Sequence, residues 1–564
     1  MPIVIVVAVV LFAAFYLVVP AAPFGALVLV GTIAYAVGHI ARAMTQQDRQ
    51  GAWKSLDQRL DIRVVATIGS AASTALLAAP MALYWLAYVA YVPMFWALRQ
   101  DTPRANRWLA LLWGTTSVAI IFRWLVDTIT LYSNIPWIVA VALTVLFAVV
   151  FGLPYLLFWP ATHFIRRHFG SWWVILLPCW LVLIEYVAMR VLLFPYNQGI
   201  SQHRFLFTFQ LASLTGVYGL SFLVFLVNSA LAEVIYRRRE GREFPTLQLC
   251  GAFSTLSVVI IFGAWRFERV EAALDEAPTI RVAQLQQSIT MVERLQQDRK
   301  EVFMGWLDAT QKIPANSVDL VVWPEGASPY YLNAGRAPDH IGALAKRGNY
   351  PIIVGGGTRL RVKDATGKTV TELYNSVYSF DRHGEVEDHY DKMMPLPFGE
   401  YFPMADWVPW LAEMIEGVGR FKAGVEPKLL GDDGLRLATP ICYEAIMAHL
   451  CRRFNSPDLL VNVTNDGWFG DTSAPHLHAM LAIARATELG TPMFRSAYTG
   501  ISLVVEPHGH IYAKTKPFTD VNRVVTVRVR TFPTLYYKYG DWFVALCLAA
   551  LVLARLLLPW RRQE

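Results

Sequence analysis

Apolar positions follow two patterns along the chain. Through about the first 265 residues and the last 25 they form long uncharged runs, of the roughly 17 to 25 residues a bilayer crossing needs. The candidates are Ile3 to Val19, Phe24 to Ala41, Val64 to Ala79, Met81 to Leu98, Leu109 to Val126, Trp137 to Trp159, Trp172 to Phe194, Phe207 to Ile235, Leu247 to Trp265 and Trp542 to Leu558. The first run lacks a basic leader and is followed at once by another, so the pair is expected as a helical hairpin and not a cleaved signal peptide. About nine spans are thus expected in residues 1–270 and one more in 541–564.

Between them, residues 278–535 read as a globular domain. Short β-branched runs recur: "IRVAQL", "VDLVVWP", "PIIVGGGT", "YNSVYSFD", "LRLATPICY", "DLLVNVTND", "GISLVVEPHG" and "VVTVRVR". Helical spacing separates several of them, as in "VERLQQDRKEVFMGWLDATQK", expected as one surface helix, and "HLHAMLAIARATELG", which ends on a glycine. Near-continuous apolar strands alternating with helices predict buried sheets covered by helices. Sites in such folds gather at strand ends, and three ends carry ionisable residues: Glu325, Cys442, and Asn465 with Asp466.

Charge adds an orientation. Basic residues cluster after the even-numbered runs: Arg42, Arg49, Lys54, Arg59 and Arg63; Arg99, Arg104 and Arg107; Arg166 and Arg167; Arg237, Arg238, Arg239 and Arg242; and, at the end, Arg561 and Arg562. The odd-numbered short loops are nearly free of them, Arg204 excepted. Because cytoplasmic loops hold the excess of Lys and Arg, both termini are expected in the cytoplasm and the globular domain outside. The net charge of +7 is then a topology signal and gives no reason to invoke nucleic acid. Composition agrees with a membrane protein: 55% of residues are hydrophobic, only 16% are charged, and the mean hydropathy is +0.37. Arg123, Asp127, Glu185 and Arg190 fall inside or near runs, where structural pairing or placement near span ends is the expectation.

Five cysteines are present, of which Cys442 and Cys451 fall in the globular domain. Spacing alone leaves a disulfide between them open, and no metal-ligand spacing occurs. His476 and His478 stand two apart with no third ligand nearby, so no metal is expected. A cysteine thiol needs a base and a nearby cation to become a strong nucleophile; Glu325 offers the first and Lys392 the second, with the Tyr443 N–H as a further oxyanion donor.

"WPEGASP", "YDKMMPLPFGEYFP" and "PICYEA" occur in the order Glu, Lys, Cys and resemble the catalytic segments of the nitrilase superfamily; "NDGWFGDTSAPHLHAMLAIARATELGTPMFRSAYTGIS" extends the likeness. Spans on both sides of the domain resemble one membrane branch of it, the bacterial apolipoprotein N-acyltransferases. The resemblance implies a polytopic α-helical membrane domain plus an α/β nitrilase-like αββα sandwich. It implies Glu325 as general base, Lys392 as transition-state stabiliser and Cys442 as nucleophile, with Glu400, Tyr443 and Glu444 in support and no cofactor. It also implies that an acyl chain passes from the sn-1 position of a phospholipid, typically phosphatidylethanolamine, through a thioester on Cys442 to the N-terminal amine of a diacylglyceryl-cysteine lipoprotein. The setting implied is the bacterial inner membrane with a periplasmic catalytic domain, and the enzyme is expected as a monomer.

Two places depart from that family's pattern: the segment 284–297, with Leu295 where a tryptophan is usual, and Tyr498 where asparagine is common. A tethered amidase that cleaves a C–N bond, an enzyme with another amine acceptor and a silent relative are the alternatives. Trp407, Trp410 and Phe402, and Trp468 with Phe469, are read either as core aromatics or as lids over an apolar substrate.

Overall fold

The computed structural model describes residues 60–558, apart from 101, 133–134, 192–195, 364–366, 398, 402–420 and 432–433. The runs Ile3 to Val19 and Phe24 to Ala41 and the aromatics Phe402, Trp407 and Trp410 lie outside the described residues, as does the Leu295 side chain. Two compact units result, the first reaching Gly263 and resuming at Asp541, the second running from Ala264 to Gly540 with a short stretch at Leu131.

The first unit is helical. Among the described residues, Leu60–Leu77, Trp137–Val191, Val217–Arg239 and Thr246–Asp275 are long and apolar enough to cross a membrane. Pro103–Ile121 and Trp124–Leu131, bent by 54°, make a fifth if taken as one span. The 55 residues of Trp137–Val191 would reach about 80 Å as a straight rod, far beyond one bilayer. They are instead broken after Gly152, and a separate helix, Trp173–Val191, ends the stretch.

Met81 to Leu98, expected as one span, is a turn of 3-10 helix at Tyr84–Tyr88 followed by the six-residue helix Val92–Ala97. Pro80 and Pro93 remove backbone donors at both joints. Groups that a continuous helix would have paired are taken up by neighbours. Asn228 accepts from the Tyr91 N–H (3.1 Å) and donates to the Ala87 carbonyl (2.8 Å), while the Ser70 and Tyr236 hydroxyls donate to the carbonyls of Ala90 and Phe95. Without water, such internal satisfaction is what permits a broken span. Aromatics fill the core around it, with Trp113 5.1 Å from Trp159 and 6.0 Å from Tyr91 between ring centres. Two of the four charges singled out in the sequence are partnered: Glu185 accepts from Asn197 and from the Gln198 N–H, and Arg190 meets Asp541 at 2.9 Å.

The second unit holds two six-stranded sheets. One has the order β12-β1-β2-β3-β4-β5, from β1 (Thr279–Gln286), β2 (Leu320–Trp323), β3 (Ile352–Lys363), β4 (Thr369–Phe380), β5 (Val386–Asp391) and β12 (Val521–Arg528). The other has the order β11-β10-β9-β8-β7-β6, from β6 (Leu429–Leu430), β7 (Leu437–Ala438), β8 (Leu459–Thr464), β9 (Met493–Ala497), β10 (Leu503–Val505) and β11 (Ile511–Tyr512). The middle strands β1, β2 and β3 are mutually parallel, as are β7, β8 and β9. Gln286 joins the sheets, its Oε1 accepting from the Ser502 and Thr515 hydroxyls at 2.8 and 2.9 Å. The outer helices complete an αββα sandwich. Trp306 and Phe303 of the helix Arg299–Gln311 bury against Trp323 of β2, with ring centres 5.8 and 6.3 Å apart.

The expected single helix over "VERLQQDRKEVFMGWLDATQK" is two, Met291–Gln296 and Arg299–Gln311. Asp298 lies between them as an N-cap whose side chain accepts from the Lys300 N–H, so a cap ends one helix and starts the next. The helix Ala474–Leu489 ends, as the sequence suggests, at a left-handed glycine, Gly490.

Candidate active site

Three strand ends converge. β2 runs directly into Pro324 and Glu325, and β3 passes close beneath this turn at Gly355, where a Cβ would lie 2.6 Å from the Glu325 Cα. Only glycine lets the neighbouring strand come so near. The Glu325 carboxylate is 8% exposed and held on every side: Oε1 accepts from Asn375 Nδ2 (2.8 Å) and lies 3.2 Å from Lys392 Nζ, and Oε2 accepts from the Asn465 N–H (2.8 Å).

Lys392 follows β5 by one residue, and its backbone N–H donates to the Asn375 carbonyl on β4 at 2.8 Å. The side chain is 1% exposed, with Nζ between Glu325 at 3.2 Å and Glu400 Oε2 at 2.7 Å. Burial acts to lower its pKa, but the Glu325 and Glu400 carboxylates and the Cys442 sulfur outweigh burial and hold it well above its ordinary value. Glu400 in turn accepts from Asn375 Nδ2 and the Leu396 N–H, each at 2.6 Å. One carboxamide therefore bridges the two carboxylates that flank the ammonium.

Cys442 lies beyond β7, after Ile441, which still bridges to Val463 of β8. Its φ of +51° is left-handed, a conformation uncommon for a residue with a side chain, and a turn of 3-10 helix, Cys442–Ile446, follows. Cys442 is 8% exposed. Burial pushes its thiol pKa up and Glu325 adds to this, with Lys392 opposing, so the resting group is a neutral thiol. Tyr443 is buried beside it. Glu444 is fully buried and fastens the turn to the lysine strand: it accepts from the N–H groups of Met393 (2.7 Å), Met394 (3.0 Å) and Ile441 (2.8 Å) and from the Tyr390 hydroxyl (2.9 Å). Burial raises its pKa to about 7 against these donors.

The five cysteines are all free, which closes the Cys442–Cys451 disulfide reading. The Cys451 thiol is instead buried and donates to the Glu444 carbonyl at 3.4 Å. His478 Nδ1 meets Asp466 Oδ1 at 2.8 Å, and Arg495 Nη2 meets the same carboxylate at 3.0 Å. Burial alone would raise the Asp466 pKa; Arg495 and His478 hold it down at about 2. Glu271, Glu506 and His508 come together elsewhere, with the Arg528 guanidinium bonded to Glu506 (2.7 Å) and Glu271 (3.1 Å) in their midst, a cation already in place.

Sequence reasoning passed over Asn375 and Tyr390. Tyr390 stands two before Lys392, hence on the same side of the strand, a signal the sequence carries; Asn375 is one polar residue within "YNSVYSF", whose partners Glu325 and Glu400 appear only in the fold.

Residues 279–531 match the family model of the carbon-nitrogen hydrolases, and residues 70–230 match that of the apolipoprotein N-acyltransferase N-terminal domain. The sandwich is thus a carbon-nitrogen hydrolase domain, carried on a chain with a polytopic helical unit. Apolipoprotein N-acyltransferase of Geobacter metallireducens is 32% identical over 477 residues, 82% of this chain and 89% of that one. The protein of the same name from Bradyrhizobium diazoefficiens is 34% identical over 64% of this chain and 68% of its own. A crystal structure of a carbon-nitrogen hydrolase from Helicobacter pylori G27 aligns at 17% identity with a TM-score of 0.34, over 44% of this chain and 89% of that one. The chain belongs to the apolipoprotein N-acyltransferase family.

Proposed function

We propose that the protein is an acyltransferase of the bacterial inner membrane that N-acylates lipoproteins, with Glu325, Lys392 and Cys442 as its catalytic triad. The observation that carries the reading is the cluster itself: a buried carboxylate fixed by three donors, an ammonium 3.2 Å from it, and a strand-end thiol in electrostatic contact with both.

In the first half-reaction Glu325 takes the thiol proton as the Cys442 sulfur attacks the sn-1 ester carbonyl of a phospholipid such as phosphatidylethanolamine. Lys392 and the Tyr443 N–H stabilise the oxyanion. The intermediate collapses, the C–O bond breaks, and Glu325 returns the proton to the departing glycerol oxygen, leaving a lysophospholipid and an acyl thioester. In the second, the amine of a diacylglyceryl-cysteine attacks the thioester, Glu325 takes a proton from the nitrogen, the C–S bond breaks and the thiol is restored. Because the resting thiol is neutral, proton removal belongs to the attack itself, which suits a base already hydrogen-bonded in place. Glu400 and Glu444 hold Lys392 and the nucleophile turn. Residues 278–535 form the catalytic domain on the periplasmic face, between membrane segments 1–270 and 541–564, with both termini cytoplasmic; the enzyme acts as a monomer.

The test is an incubation of the purified protein with phospholipid bearing a labelled sn-1 chain, followed by a diacylated lipopeptide. A hydroxylamine-labile adduct on Cys442 that chases onto the lipopeptide is expected, and none in Cys442→Ala. No adduct in the wild type overturns the donor assignment; discharge to water alone overturns the transfer.

A further inference from the structure

The short helix Met291–Gln296 is built to present one side chain to the Glu325 turn. It is held by a reciprocal cap: the Thr290 hydroxyl accepts from the Glu293 N–H (3.2 Å), and the Glu293 carboxylate accepts from the Thr290 N–H (2.8 Å). Next along this helix comes Arg294, whose guanidinium carbon lies over the Tyr498 ring, 4.9 Å from its centre. Tyr498 is itself packed edge-on against Trp306 at 5.2 Å. Arg294 Nη2 donates to the carbonyl of Gly326, the residue next to Glu325. Gly326 has a φ of +65°, and a Cβ there would meet the two terminal guanidinium nitrogens at 3.3 and 3.4 Å. Glycine at this position thus serves both the turn and the approach of the cation. The two places where the sequence departs from its family's pattern, 284–297 and Tyr498, meet at this contact.

We infer that Arg294 is a positioning residue for Glu325: braced by Tyr498, its guanidinium clamps the Gly326 carbonyl and sets a fixed positive charge beside the carboxylate. This rests on the reading of Glu325 as the base. Among the described residues, the charged and titratable groups around Glu325 include Lys392, Glu400, Cys442 and Arg294, with Asp466 facing Cys442 and Tyr498 facing Arg294. Lys392 divides its charge between two carboxylates, so Arg294 is a second fixed positive charge facing Glu325. Burial draws the Arg294 pKa down against Tyr498 and Glu325, yet a guanidinium keeps its charge across the working range.

The experiment measures the rate of Cys442 alkylation by iodoacetamide against pH, on the full chain in detergent, for the wild type, Glu325→Gln, Arg294→Met, Arg294→Lys and Tyr498→Leu. The wild type should show an acid limb that Glu325→Gln lacks. Arg294→Met should move that limb up by about one pH unit, Arg294→Lys should bring it back toward the wild type, and Tyr498→Leu should move it less, in the same direction. A limb that stays in place in Arg294→Met, or in Tyr498→Leu should the methionine variant not fold, overturns the inference even where melting temperature falls. A wild-type profile identical to that of Glu325→Gln overturns the base assignment and the inference together. Labelled phospholipid is run in parallel, so that a missing lipid adduct with a moved limb overturns the donor assignment while supporting Arg294.

Discussion

Asn375 uses one amide nitrogen to hold Glu325 and Glu400 together around Lys392, so its replacement tests how far the ammonium depends on arrangement. Asn375→Asp would place a third carboxylate there, and a misplacement of catalytic groups by about 1 Å costs on the order of 100-fold. Adduct formation in Asn375→Asp is expected to fall by about that factor, read by rapid quench with labelled phospholipid; a rate within threefold of wild type would contradict the bridging role. Glu444 makes a second prediction. Its folded pKa, raised to about 7 from an ordinary 4.5, means that the native state holds a proton the unfolded chain releases. Stability from that proton is complete below about 4.5 and is lost as pH rises toward 7, an effect on the order of 3 kcal/mol. Thermal melts at pH 5 and 7.5 should separate for the wild type and converge for Glu444→Gln; equal separation in both would refute the assignment. That Glu325, Lys392 and Cys442 come together could be anticipated from the sequence because each sits in an ordered motif. Asn375 was not, since a single polar residue in a strand announces nothing until its neighbours across the sheet are known.

Among the elements, the turn after β2 depends on its neighbour. Gly355→Ala would put a methyl group 2.6 Å from the Glu325 Cα, and the strand must shift or the turn must lift. Adduct formation is expected to fall at least tenfold with the helical content by circular dichroism unchanged, whereas wild-type activity would show that the turn yields freely. The alternating and apolar runs located β1, β2, β3, β4, β7, β8, β10 and β12. They missed β5, whose "VEDHYD" is mostly charged, β9, whose "MFRSA" buries an arginine, and the two-residue strands β6 and β11, too short to show any period. The split at Asp298 and the break between Met81 and Leu98 were overrun for one reason: hydrophobic spacing continues across a cap or a proline, while the backbone does not.

Taken whole, the molecule poses the question of sidedness. Val425, 88% exposed in the sandwich, and Arg238, exposed at the end of Val217–Arg239, should lie on opposite faces of the membrane if the basic loops are cytoplasmic. In a Cys250→Ser background, which removes the exposed native thiol, Val425→Cys should react with a membrane-impermeant maleimide in spheroplasts and Arg238→Cys only after permeabilisation. The reverse labelling would invert the topology. The two-regime architecture could be read from sequence because bilayer length and sheet period differ several-fold; how each apolar run folds back could not, since it depends on partners such as Asn228 far away in the chain.

The left-handed backbone at Cys442 carries a practical warning for anyone who would engineer this enzyme. An L-residue with a side chain sits there roughly 1–2 kcal/mol above glycine, so Cys442→Gly should outlast Cys442→Ala in a melt by about that margin. A library sorted for heat resistance alone would therefore enrich chains that have discarded the thiol proposed as nucleophile, and durability and turnover need to be selected together.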